Sequence, residues 1–380
     1  MKNKIILLFV ALASIVNAQI PNGYYDGTSN LTGYDLKSKL SQIITNGHKD
    51  MGYGSGTGGL WLAYKTTDID KYYENDGTIL DMYSENPAAN ASGVSNDAYE
   101  YKWGQTSVGG NQCGSANQNN EGFCYNREHS LPKVYFGGIN AVPMSHDVHF
   151  VIPTDYYVNK SRENMPYGEV STSTMLFSNG TKIGPSKVLG YNGTVFEPIN
   201  EFKGDLARMT LYFITRYESQ LPSFSTITNG SFSPFNGTTG QGLQTWYLNI
   251  LLKWSEQDPV SQKEIDRNNA AYTFQGNRNP YIDHPEWIES IWGKSPLAVD
   301  DASFSKNLSI APNPVKGNTI TVSGNNLKQF NKAMIYNMTG QNVQTVENPF
   351  QNGNTIILKN LPKGVYILKT GELNTKFIVE

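Results

Sequence analysis

The spacing of the apolar residues changes near residue 297, and that change divides the chain. From Pro198 onward the apolar positions follow a helical repeat. GDLARMTLYFITRYE places Leu206, Met209, Leu211, Phe213 and Ile214 around a buried helix, and LQTWYLNILLKWSEQ does the same with Leu243, Tyr247, Leu251 and Trp254. A third, more polar helix is predicted from Pro259 to Asn277. After residue 306 the period becomes two, through TITVSG, KAMIYNMTG, NTIILKN, GVYILKT and TKFIVE, with Gly, Asn and Pro between them. The pattern predicts an α+β domain at 19–296, a linker at 297–306 and a small all-β sandwich at 307–380.

The first residues form neither domain. Lys2 and Lys4 precede an apolar run from Ile5 to Val16 that ends in Val16-Asn17-Ala18, which reads as a secretory signal at 1–18. No later run is apolar for the ~20 residues a spanning helix needs, so an exported protein without a membrane span is expected. Hydrophobic residues make up 38% and charged residues 17%, which excludes a disordered chain. The net charge of −3 offers no global attraction to a polyanion, so any positive charge serving one must be local. Cys113 and Cys124 are the only cysteines, and outside the cell they can close a short disulfide loop; two free thiols are the alternative.

Between these regions, LKSKLSQIITNGH is a short amphipathic helix. Gly54, Gly56 and Gly59 spell G-x-G-x-x-G, but with no strand before and no helix after, a flexible loop is expected. GLWLAYKTTDID and GTILDMYS read as strands, and Asp68, Asp70 and Asp76 between them read as solvated turn carboxylates, with a calcium loop as the alternative.

The chemistry concentrates elsewhere. His129, His146 and His149 are three of the five histidines and lie close to Glu128, Asp147, Asn159 and Arg162. His146, Asp147 and His149 could ligate zinc in a hydrolase of another class, whereas Glu128 and Asn159 offer hard oxygens for Mg²⁺ or Ca²⁺. Arg162 follows Asn159 by one helical turn and can present a two-pronged donor to the same phosphate. Asp147 and His149, two apart, are expected on one face of a strand in a positioning role.

NREHSLPKVYFGG, SHDVHFVIPTDYYVNKSRENMPYGEV, FEPINEFKGDLARMTLYFITRY and QGNRNPYIDHPEW, in that order, resemble the secreted endonuclease I family of ββα-metal nucleases. The resemblance covers roughly 36–292 and implies a ββα-metal core with several long helices. It implies His129 as general base, Glu128 and Asn159 as ligands to one divalent cation, and an Arg at 162 facing the phosphate. Mg²⁺ is the expected ion, with Ca²⁺ or Mn²⁺ as alternates. Some members carry a carboxylate where this chain has Ser145, and an arginine used upstream of it has no certain counterpart. Stabilisation of the phosphate therefore rests on Arg162, Arg127, Lys133 or Lys160, and Lys203, Arg208 and Arg278 are expected to extend the basic surface.

SIAPNPVKGNTITV, IYNMTGQNV and LPKGVYILKTGELNTKFIVE resemble the sorting domain of substrates of the Bacteroidetes type IX secretion system. The combined expectation is a secreted or surface-held monomer that hydrolyses DNA, with RNA as a further substrate, and meets the secretion machinery through its C-terminal domain. A surface-displayed binding or adhesion protein on an inactive nuclease scaffold is the alternative from another class. Glu128 and the Asn159 oxygen should then meet at one point, with the His129 ring a phosphate's width away and oriented by a second hydrogen bond.

Overall fold

The computed structural model describes residues 20–87, 99–114, 119–229, 232–293, 308–324, 326–337, 341–371 and 373–380. The signal expected at 1–18 and the linker expected at 297–306 lie outside these. The chain divides into two compact units at residues 295 and 296.

The first unit opens with α1 (Gly33–Thr45) and α2 (Leu60–Thr67). Helix α2 lies where a strand is predicted. Leu60, Trp61, Ala63, Tyr64 and Thr67 are its buried residues, a helical spacing that a short apolar run does not distinguish from strand on its own. In GTILDMYS only Ile79 pairs, through isolated bridges to Ile69 and Tyr101. Extension stops at Asp81, whose carbonyl accepts from the backbone N–H of Ser84 and Glu85.

Strands β1 (Tyr125–His129) and β2 (Val151–Asp155) pair antiparallel, with Glu128 opposite Ile152 and His129 opposite Val151, and α3 (Tyr156–Arg162) follows directly. This is a strand-strand-helix unit. Next comes a small sheet of β3 (Met175–Leu176), β4 (Lys182–Pro185) and β5 (Thr194–Glu197).

The remaining elements are α4 (Lys203–Arg216), α5 (Leu221–Phe224), α6 (Thr245–Gln257), α7 (Gln262–Gln275), α8 (Pro280–Asp283) and α9 (Glu286–Trp292). All 14 residues of α4 are buried, so it is the central helix, and it packs against α1, α6 and α8. Its charges are neutralised inside: Lys203 meets Glu197, Asp205 meets Lys263, Arg208 meets Glu264 and Arg216 meets Asp147. Buried charge needs such partners. Helix α7 is polar in sequence because it supplies two of them, Lys263 and Glu264, and its start is fixed by a capping box between Ser261 and Glu264.

The second unit is all β. Strands β6 (Leu308–Ala311), β7 (Thr319–Gly324), β8 (Lys332–Asn337), β9 (Asn342–Glu347), β10 (Thr355–Ile357), β11 (Gly364–Thr370) and β12 (Leu373–Val379) form two sheets, ordered β10-β7-β6 and β12-β11-β8-β9. Inward residues of both, among them Val322, Ile335, Leu368 and Phe377, make one core.

Candidate active site

Strand β1 and helix α3 carry the chemically promising residues, and a buried acidic pair anchors both. The Asp155 carboxylate caps α3 by accepting the Val158 N–H at 2.9 Å, and also accepts from the Tyr101 hydroxyl at 2.5 Å and the Gly122 N–H at 2.8 Å. Its own backbone N–H donates to Asp81 Oδ2 at 2.7 Å. Burial, aided by Asp155, pushes the Asp81 carboxyl up to about 7. Asp81 was missed from sequence because it stands in a stretch that reads as strand. The disulfide joins Cys113 to Cys124, and Cys124 immediately precedes β1.

Because β1 is a strand, Glu128 and His129 point to opposite faces. On one face, Glu128 is 6% exposed, and its Oε1 accepts from the Tyr83 hydroxyl at 3.1 Å and from Arg162. Burial raises its carboxyl above the ordinary carboxylate value, with Arg162 and Tyr83 opposing. The Asn159 amide nitrogen donates to Asn126 Oδ1 at 2.9 Å and to the Arg127 carbonyl at 3.4 Å. Asn126 and Glu128 share this face of β1, so Asn159 is placed beside Glu128. Among the described residues, Glu128 Oε2 and Asn159 Oδ1 have no hydrogen-bonding partner.

On the other face, the His129 ring is 3% exposed and packs among Phe136, Phe150 and Tyr53. Nε2 lies 3.2 Å from the Ser145 carbonyl, which can only accept, so Nε2 carries the proton and Nδ1 keeps its lone pair. Burial, reinforced by Lys133, lowers this imidazole to about 3, leaving it neutral near pH 7.

Arg162 does not face a substrate. Its side chain is fully buried beneath Glu128. Nη1 donates to Tyr83, Glu128 and the His129 carbonyl, Nη2 to the Ser130 carbonyl at 2.7 Å, and Nε to the Met165 carbonyl at 3.3 Å. The guanidinium also lies 4.2 Å from the Tyr167 ring. One helical turn from Asn159 it turns inward, so the expectation of a phosphate-facing Arg162 is corrected to that of a residue orienting Glu128.

Asp147 and His149 are not on a strand either. Both precede β2, and both are turned toward α4 and the segment after α7. Asp147 Oδ2 accepts from the hydroxyls of Tyr212 and Tyr217, each at 2.9 Å, and from Arg216, while Oδ1 accepts from Gln275 at 2.7 Å. Burial alone would raise this carboxyl, but Arg216 and its other partners hold it well below the usual carboxylate range. His149 Nε2 donates to the Asn277 carbonyl at 2.9 Å, and burial lowers the ring to about 4. Their role is to dock the β1–β2 connection on the helices.

These two groups set a direction for acid sensitivity. A histidine lowered in the folded state from its ordinary 6.5 to about 4 leaves stability intact above pH 6.5 and removes it as pH falls to about 4. The loss is roughly 3 kcal/mol. Asp147, depressed when folded, extends the loss below the unfolded carboxylate pKa. The melting temperature should therefore fall from pH 6.5 to pH 4, and His149→Gln should flatten that slope in calorimetry. Equal slopes for the two proteins would contradict the assignment.

Three other expectations change. His146 is separate from His149: its Nδ1 bonds Asp50 at 2.8 Å while His149 is spent on Asn277, so they do not form a zinc ligand set. Asp68 pairs with Arg267, and Asp70 accepts the N–H groups of Tyr72, Tyr73 and Asn75. Both are buried, not solvated. Lys203, Arg208 and Arg278 are buried in pairs with Glu197, Glu264 and Asp283, which leaves Arg127, Lys133 and Lys160 of the proposed basic surface.

A strand-strand-helix unit with Glu-His on its first strand and Asn on its helix is the arrangement the resemblance implies, and the Endonuclease I family model matches residues 32–286. The chain belongs to the endonuclease I family. An extracellular ribonuclease of Bacillus amyloliquefaciens is 34% identical over 277 residues, spanning 71% of this chain and 78% of the relative. An extracellular ribonuclease of Bacillus subtilis (strain 168) is 32% identical over 274 residues, with the same coverage of each chain. The model of the secretion system C-terminal sorting domain matches residues 309–380. This endonuclease I family member is thus a nuclease, secreted or held at the cell surface, with a type IX sorting tail. Among the described residues no helix is long and apolar enough to cross a membrane.

Proposed function

We propose that this nuclease is a divalent-cation-dependent endonuclease that hydrolyses phosphodiester bonds of both DNA and RNA with little sequence preference. The observation that carries the reading is the division of β1. Two hard oxygens without a partner among the described residues, Glu128 Oε2 and Asn159 Oδ1, lie on one face, and a neutral His129 with Nε2 anchored on Ser145 lies on the other. A small set of oxygen donors suits Mg²⁺ or a similar ion, which completes its shell with water and phosphate. When bound, such a cation would supply charge neutralisation to the phosphate and the leaving oxygen.

The chain's own part follows from its geometry. Glu128, held by Arg162 and Tyr83, and Asn159, held by Asn126, would fix the cation's position. His129 Nδ1 would accept the proton of the attacking water, because the Ser145 carbonyl keeps the other nitrogen protonated. RNA is included because both curated relatives are named ribonucleases. Among the described residues no base-reading element is evident, and contacts to phosphate position a strand without reading it.

Purified protein incubated with plasmid DNA, and separately with single-stranded RNA, should degrade both with Mg²⁺, Ca²⁺ or Mn²⁺ and neither in EDTA. Cleavage that survives EDTA would sink the cation. Two intact substrates under every ion would favour the inactive binding scaffold.

A further inference from the structure

We propose that Arg127 grips a phosphate of the substrate strand beside His129, and that the glycine-rich loop after α1 is built to hold it there. The proposal rests on the nuclease reading for its substrate and names the group that replaces Arg162 as the phosphate-binding cation.

Its pairing sets Arg127 apart. The chain has six arginines, and five of them, Arg162, Arg208, Arg216, Arg267 and Arg278, are paired with Glu128, Glu264, Asp147, Asp68 and Asp283. Among the described residues, Arg127 has no carboxylate partner. It is nevertheless half-buried. A guanidinium partly removed from water without a counter-charge is unfavourable, and an anionic ligand relieves that cost.

The side chain is also held in place. Its Cζ lies 3.4 Å from the centre of the Tyr53 ring and 4.3 Å from that of Trp61, so the guanidinium contacts two aromatic rings. Nη1 donates to the Tyr53 carbonyl at 2.5 Å and the Gly54 carbonyl at 2.8 Å. Both bonds to the loop carbonyls run from Nη1, and Nε and Nη2 are two of the donors that form a fork to phosphate.

The loop's glycines follow from this. Gly54 has φ +86°, and a Cβ there would lie 1.9 Å from the Gly58 carbonyl oxygen. Gly59 has φ +59°, and a Cβ there would lie 2.5 Å from the Gly52 carbonyl oxygen. The run expected as a flexible loop is therefore folded tightly on itself. That closure presents the carbonyls of Tyr53 and Gly54 to Arg127 and lays the Tyr53 ring within 14° of parallel to His129, centres 6.1 Å apart. Arg127 and His129 share a face of β1, about 7 Å apart along the strand, close to the spacing of successive phosphates.

The test measures binding of a labelled single-stranded oligonucleotide by fluorescence anisotropy in EDTA, over a KCl series, with kcat/KM measured in parallel. R127Q, which keeps an amide N–H for the loop carbonyls, should reduce the slope of log Kd against log[KCl] by about 0.7, one phosphate contact on a single strand. It should also lower kcat/KM by at least roughly tenfold, the scale of a lost charge-assisted contact. A purely structural role would leave the slope unchanged, so a folded R127Q with the wild-type slope overturns the proposal. If R127Q does not fold, R127K decides: it should keep the wild-type slope and lose kcat/KM with its fork, and full kcat/KM in R127K overturns the proposal. A wild-type protein that cleaves neither nucleic acid, yet shows the slope change, would refute the catalytic reading and leave the Arg127 contact standing.

Discussion

His129→Ala should abolish cleavage of plasmid and RNA while the protein remains folded. A positioned general base contributes about 10² to 10⁴ in rate, so the residual activity should fall by that factor at saturating cation. The ring is fixed by its Nε2–H to the Ser145 carbonyl and by Phe136 and Phe150, and among the described residues no ion pair depends on it. Truncation leaves a cavity and one unsatisfied carbonyl, which cost a few kcal/mol and lower the melting temperature without unfolding a unit of this size. Circular dichroism and a melting curve establish the fold, and a gel assay reads activity. A folded variant with wild-type turnover would remove His129 from the mechanism.

Arg162→Met should behave in the opposite way, losing the fold first. It deletes the positive partner of buried Glu128 and leaves the Ser130, His129 and Met165 carbonyls without their donor. Removing one member of a buried pair costs about 3–5 kcal/mol, because the remaining charge stays uncompensated. The expected observation is a large fall in the denaturation midpoint. Were Arg162 a phosphate contact, as its spacing from Asn159 suggests, the midpoint would hold and only kcat would drop. Equilibrium unfolding beside single-turnover kinetics separates the two.

The residues of the candidate site were legible because short ordered motifs carry them. Glu128, His129 and Asn159 were read from the ordered motifs that resemble the endonuclease I family, and the structure sets the first two on β1 and the third on α3. The long helices α4 and α6 and five strands of the C-terminal unit were readable from period alone. Local pattern failed where burial came from afar. LWLAYKT is an apolar run compatible with either strand or helix, and its contact with α7 decides for helix. Helix α7 is the more polar helix in sequence, yet its Lys263, Glu264 and Arg267 are consumed by Asp205, Arg208 and Asp68.

By itself, then, the sequence determined which residue types stand next to one another and where a helical repeat gives way to a strand repeat. Only the tertiary structure decided which cations are spent inside and which remain for a ligand. Arg162 is enclosed by Tyr83, Glu128 and Tyr167, of which only Tyr167 is near it in sequence, whereas Arg127 meets Tyr53 and Trp61 and, among the described residues, no carboxylate. Charge and helical spacing are local properties. The partner that neutralises a charge is chosen by packing between distant segments, and that choice separates a structural arginine from one free to bind phosphate.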